Sequence, residues 1–152
     1  MTNIAVAGLG YVGLSNAVLL AQNNPVMALD ITPERVAMIN DRVSPIEDRE
    51  ISDFLANHKL DLTATLNPEE AFRDAEFVIV STPTNYDAKT NRFDTSSVET
   101  VLAEIKRINP NAVAIIKSTI PVGFVNRIRA ELEWDHVIFS PEFLREGQAL
   151  FD

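Results

Sequence analysis

Apolar residues fall in short unbroken runs at Ile4–Ala7, Val26–Leu29, Leu62–Thr65, Phe77–Val80, Val113–Ile116 and Val137–Phe139. Runs this short, with little polar alternation, predict strands covered on both faces, as in a parallel sheet flanked by helices. Between them lie helical patterns with recognisable starts. Thr32-Pro33-Glu34 sets a cap residue before a proline at the first helical position. Asn67-Pro68-Glu69-Glu70 repeats the device and adds an acidic first turn. Ser96 with Glu99 reads as a capping box that opens a helix to about Ile108. Val122, Val125, Ile128 and Leu132 predict a helix over residues 122–132, and further helices are expected over Val12–Gln22 and near residues 50–57. Strand–helix alternation of this kind predicts an α/β fold: a Rossmann-type doubly wound, mainly parallel six-stranded sheet with helices on both faces, in one domain over residues 1–152. Ser140-Pro141-Glu142 resembles one more helix start, so the end of the chain at Asp152 reads as a truncation.

Composition narrows the partners. The chain is 46% hydrophobic and 23% charged, as soluble globular domains are. Its 22 acidic against 13 basic residues, a net charge of −9, argue against nucleic acid or an anionic membrane surface as a partner. The same balance leaves room for a phosphate-bearing ligand, because backbone N–H groups at a helix start bind anions without net positive charge. Cysteine is absent, which removes disulfides, thiolate metal sites and a thiol nucleophile. His58 and His136 stand apart without a ligand pattern, so both are expected to be structural and no metal site is expected. The first basic residue is Arg35, so the N-terminus lacks the charged start of a secretory signal. No apolar run reaches the length of a membrane span, and a cytoplasmic location is expected.

Chemistry concentrates where the predicted strands end. Gly8-Leu9-Gly10-Tyr11-Val12-Gly13 is a G-x-G-x-x-G between a strand and a helix, the context that gives this pattern its meaning. Gly8 allows the tight turn, Gly10 lets a pyrophosphate approach the backbone, and Gly13 lets helix pack on strand. Asp30 ends the second strand at about the ~20-residue spacing where an acidic residue takes the adenosine ribose. A carboxylate there repels a 2′-phosphate and favours NAD over NADP. Arg35 serves the ribose or a 2′-phosphate in one reading and is a solvated helix arginine in the other. The stretches Ser81–Asn85, Lys117–Thr119 and Ser140–Gly147 also follow strands, on the edge where open α/β sheets bind ligands. Ser140–Gly147 admits two readings: a capped helix with Glu142 and Glu146 on one solvated face, or two carboxylates directed into a cleft, one of them usable as acid or base.

Taken together, Gly8–Gly13 with Leu14-Ser15, Ser44-Pro45-Ile46, Thr82-Pro83-Thr84-Asn85, Lys117–Gly123 and Ser140–Gly147 resemble the UDP-glucose 6-dehydrogenase family, within the wider UDP-glucose/GDP-mannose dehydrogenases. The resemblance spans essentially the whole chain. It implies oxidation of UDP-glucose by two NAD in turn, with water, to UDP-glucuronate and two NADH, through a thioester on a cysteine. By motif it implies cofactor contacts at Val12, beside Gly8, Gly10, Tyr11 and Gly13 of the turn, and at Asp30, Arg35, Thr84, Thr119 and Glu146. It places Glu142, Phe143, Leu144, Arg145 and Glu146 against the sugar nucleotide, and gives Glu142, with Thr119, a role in thioester hydrolysis. The family's cysteine, its substrate-holding lysine and asparagine, and its dimerisation helix match nothing in this chain. A cofactor half of a longer, homodimeric enzyme is therefore expected, not competent alone. The alternatives are a free-standing NAD-binding regulatory module and a dehydrogenase for another nucleotide sugar.

Overall fold

The computed structural model describes all residues, 1–152. Its six core strands are the six apolar runs: β1 (Ile4–Ala7), β2 (Val26–Leu29), β3 (Leu62–Thr65), β4 (Phe77–Val80), β7 (Val113–Ile116) and β8 (Val137–Phe139). They form one sheet in the order β3-β2-β1-β4-β7-β8, every neighbouring pair parallel. Strand order reverses between β1 and β4, and the crevice at the carboxyl ends of that pair is where such sheets take ligands.

Helices cover both faces: α1 (Tyr11–Ala21), α2 (Pro33–Asn40), α3 (Arg49–Asn57), α4 (Pro68–Phe72), α5 (Ser96–Ile108) and α6 (Phe124–Leu132). Side-chain alternation along β1 sorts the core into two layers. Ile4 and Val6 pack with Leu14, Ala17 and Val18 of α1, Ile39 of α2 and Ile51 and Leu55 of α3. Ala5 and Ala7 pack with Phe72, Leu102, Ile105, Phe124 and Ile128 of α4, α5 and α6. Because each face is covered, the strands needed no polar alternation, and this is why short apolar runs marked them so cleanly.

Four features depart from the sequence reading. First, the chain after β4 forms a small antiparallel hairpin, β5 (Asn85–Asp87) and β6 (Arg92–Asp94), held by Tyr86 against Phe93. Its strands are too short and too polar to stand out in a hydrophobic pattern.

Second, α5 is capped one residue earlier than the Ser96–Glu99 box implies. Asp94 Oδ1 accepts from both the Ser96 amide and hydroxyl, so Thr95 stands at the cap and donates to Glu99 Oε2.

Third, the helix expected over 122–132 begins at Phe124. Gly123 adopts φ +86, which turns the chain so that Phe124 and Ile128 go inward, while Val122 is fully exposed.

Fourth, no helix follows Ser140. The Ser140 amide continues the sheet ladder to the Ile116 carbonyl, and its hydroxyl accepts from Lys117 Nζ at 3.0 Å. Its capping group is thus already engaged. Glu142 Oε2 then takes the Leu144 amide at 2.7 Å, a local bond that competes with helix.

Candidate functional site

The glycine turn is built by exclusion. Gly8 has φ +92, and a Cβ on it would stand 2.7 Å from the Ser81 carbonyl oxygen at the end of β4. A Cβ on Gly13 would stand 1.7 Å from the Gly8 carbonyl oxygen. Any side chain at either position therefore collides with backbone. Gly10 is different in kind: nothing lies within 4 Å of where its Cβ would be. The space above it opens at the N-terminus of α1, where Gly10 is the cap residue and its side offers no capping group. Unsatisfied helix N–H groups beside an open approach make an anion site.

Two side chains grip the turn from outside. Asp30 Oδ2 accepts from the Leu9 amide at 3.0 Å, and Oδ1 accepts from the Thr32 amide at 2.9 Å. Arg35 Nη1 donates to the Leu9 carbonyl at 3.1 Å. Leu9 itself is buried, so both polar groups of its peptide are supplied by α2 and the loop before it. A carboxylate offers about four acceptor positions, and two remain for further hydroxyls. Arg35 is thus no mere solvated arginine, although spacing alone left that open. Tyr11 and Val12 lie in the first turn of α1, half-buried.

The loop after β4 is held by residues that the sequence did not single out for this role. Ser118 Oγ donates to the Thr82 carbonyl at 2.6 Å. Ser97 Oγ bonds the Pro83 carbonyl at 2.7 Å and the Thr82 hydroxyl. These bonds fix Thr84 beside the switch point. Ser81 Oγ is buried next to Gly8 and Gly13 with no hydrogen-bond partner. A buried orphan hydroxyl under an anion site suits a polar ligand, since leaving one unmade costs about 1–3 kcal/mol. The signal that could have found it is its place as the first polar residue after an apolar strand.

Thr119 stands exposed at the end of β7, and no hydrogen bond joins it to Glu142. The Ser140–Gly147 segment is irregular up to a turn at Glu146-Gly147, so Glu142 and Glu146 do not share a helical face. Phe143 is exposed, while Arg145 forms an ion pair with Asp152 through its Nε and Nη2 groups. Glu142 and Leu144 line a cavity of about 190 Å³ with Ser15 and Asn16 of α1, Lys117 and Asp152. His58 stacks on Phe54 and His136 lies beside Trp134, both structural contacts, and no cluster of metal-ligating side chains occurs. No helix is long and apolar enough to cross a membrane.

A glycine turn at the switch point of this sheet, closed at Gly8 and Gly13 and open at Gly10, defines a dinucleotide-binding Rossmann domain. The comparisons narrow that class. Residues 2–152 match the NAD binding domain of the UDP-glucose/GDP-mannose dehydrogenase family, and the chain belongs to that family. It is 48% identical over 149 residues to the UDP-glucose 6-dehydrogenase of Streptococcus pneumoniae, and 46% identical over 151 residues to that of Campylobacter jejuni. Each alignment covers 98% of this chain and 38% of the relative. Among solved structures it is similar to a GDP-mannose dehydrogenase from Pseudomonas aeruginosa, with a TM-score of 0.87 and 27% identity over 98% of this chain and 38% of that one. The chain thus spans well under half the length of the relatives it matches, and its cofactor is NAD.

Proposed function

We propose that the chain is the cofactor half of a UDP-glucose 6-dehydrogenase, which oxidises UDP-glucose with two NAD and water to UDP-glucuronate and two NADH. The observation that carries the reading is the one open glycine of the turn. Gly8 and Gly13 are glycines because the fold leaves no room, whereas Gly10 is glycine with room to spare. A residue kept bare beside empty space, at a helix N-terminus, makes sense as the landing place of the pyrophosphate. The two relatives near half identity, both UDP-glucose 6-dehydrogenases, support UDP-glucose as the sugar nucleotide.

In this reading Gly8, Gly10, Tyr11, Val12 and Gly13 hold the pyrophosphate. The two free acceptor positions of Asp30 take the adenosine ribose hydroxyls, with Arg35 bracing the turn beneath. Thr84, Thr119 and Glu146 line the remainder of the cofactor. When bound, NAD supplies the hydride acceptor. Glu142, Phe143, Leu144, Arg145 and Glu146 meet the sugar nucleotide across the cavity that Glu142 and Leu144 wall. Glu142, aided by Thr119, activates or orients the water that hydrolyses the thioester. The nucleophile is a cysteine of the complete, homodimeric protein, since this chain holds none.

The test compares UDP-glucose, GDP-mannose and UDP-N-acetyl-mannosamine as substrates of the complete protein. Oxidation of UDP-glucose with the highest kcat/KM is expected, and preference for another sugar would overturn the assignment. Glu142→Gln in that protein should accumulate the acyl-enzyme, visible by mass spectrometry, because an amide cannot act as base. General bases of this kind contribute about 10²–10⁴-fold. Hydrolysis at the wild-type rate would return Glu142 to a purely local structural role.

A further inference from the structure

We infer that Asp48, 94 residues before Glu142 in the sequence, is a positioning residue for the nucleotide-sugar segment. The inference rests on the reading of Glu142–Glu146 given above. Asp48 is a carboxylate only 3% exposed, and no cation pairs with it. It is satisfied by three backbone amides. Oδ1 accepts from Glu50 and Ile51 at the start of α3, at 3.0 and 3.1 Å. Oδ2 accepts from Ala149 at 2.8 Å, across 101 residues of sequence.

A helix cap explains only half of this. One oxygen already serves both α3 amides, and serine or asparagine caps a helix as well as aspartate does. Burying a carboxylate is costly unless its acceptor positions are used. The second oxygen gives the charge its purpose, and it points at the chain beyond Glu146. The neighbourhood is built around that bond. Ser44-Pro45-Ile46, the run noted in the sequence but absent from the site, forms the turn that delivers Asp48. There the Ser44 hydroxyl donates to the Ile46 carbonyl, and the Asp48 amide bonds the same carbonyl. On the other side, Gly147 turns at φ +80 against the Glu47 carbonyl, Ala149 is buried, and Leu150, like Ile46, packs against the core layer beneath α1 and α3. The segment is therefore pinned at both ends. Lys117 and the Ile116 ladder hold Ser140, and Asp48 holds Ala149. Between these anchors no helix or strand supports Glu142–Glu146, so its placement over the cavity depends on them.

The experiment uses the complete protein with Asp48→Ser. Serine retains a cap for α3 but is too short to reach Ala149 as well. Amide exchange at Ala149 should accelerate at least about tenfold, with α3 protection kept, as expected on losing one hydrogen bond to a charged group. KM for UDP-glucose should rise about tenfold, kcat should change much less, and NADH affinity should stay within about twofold. Unchanged exchange at Ala149, or unchanged KM despite faster exchange, would overturn the inference. So would parallel losses in NADH affinity and α3 protection, because those mark general unfolding rather than positioning. Should the wild-type protein not oxidise UDP-glucose, the functional reading fails, and the exchange arm still decides whether the tie exists.

Discussion

The glycine turn and the Ser140–Gly147 segment sit on the same edge of the sheet, yet they are held in opposite ways. The turn is fixed by backbone contact: Gly8 lies against Ser81 and Gly13 against Gly8, at distances no side chain tolerates. The segment is fixed by side-chain hydrogen bonds: Lys117 donates to the Ser140 hydroxyl, and the carboxylates of Glu142, Asp152 and Asp48 accept from backbone amides. The turn is rigid first because space is missing, with Asp30 and Arg35 bracing Leu9 from outside, whereas the segment depends on a few bonds alone. Cofactor recognition common to many folds can rest on the first kind of construction. In the proposed reading, substrate recognition, which must vary among related dehydrogenases, falls to the second, where a few substitutions re-aim a loop without disturbing the core.

The largest effects should come from testing exclusion at the turn. Gly13→Ala forces a methyl into the Gly8 carbonyl and should cost at least about 3–5 kcal/mol, the range of severe core disruption, or prevent folding altogether. Gly10→Ala meets nothing in the protein, and Gly10 has an ordinary φ of −79. Its stability should change by no more than about 0.5 kcal/mol. NADH affinity should nevertheless fall by about tenfold or more, because the methyl occupies the pyrophosphate approach. Denaturant unfolding beside calorimetric titration separates the two. A Gly10→Ala protein with wild-type NADH affinity would remove the assignment of that open space.

Asp30→Ala comes next in size, because it removes a brace of the turn and the proposed ribose contact at once. It strips the ribose acceptor and also leaves the buried Leu9 amide unpaired, at a cost of about 1–3 kcal/mol. The wild-type chain should bind NADH more tightly than NADPH, and the variant should lose most of that preference along with some stability. Equal affinities in the wild type would sink the assignment of Asp30 to the ribose.

The same contrast explains what could be seen in the sequence. All six strands were legible to the residue, because burial on both faces writes itself as uninterrupted apolar runs. The glycine turn was legible because glycine is the one residue whose absence of a side chain is itself a message. Helix starts were legible where the cap residue was free, as at Asn67, whose side chain accepts the Glu69 amide. They misled where a neighbour had taken the capping group: Asp94 engages Ser96, and Lys117 engages Ser140. Lys117 lies 23 residues from its partner, and no local pattern reveals such a bond. Asp48, Ser97 and Ser118 were missed as site residues for that same reason, since each acts through contacts set by the fold.

The smallest effect should come from the Arg145–Asp152 pair, and it tests whether the segment relies on exposed charges as well as on its buried anchors. Hydrogen bonding to the Arg145 guanidinium, then to its amide, holds the Asp152 carboxyl at about 2, below its ordinary 3.8. A depressed carboxyl stabilises the folded state above its unfolded value and loses that contribution as pH falls. The pair is thus complete above about 3.8 and is lost only as pH falls through about 2. Across the pH range of any assay it stays ionised. Salt, not pH, is the lever, because Arg145 is exposed and exposed pairs are screened and contribute little. Asp152→Asn in the complete protein should leave thermal stability unchanged. It should raise KM for UDP-glucose only about twofold, by releasing Arg145 from one orientation. Sodium chloride at about 0.5 M should blunt this difference from the wild type. A KM change as large as that of Asp48→Ser, or one that persists in salt, would mean that the exposed pair and not the buried carboxylate places the segment.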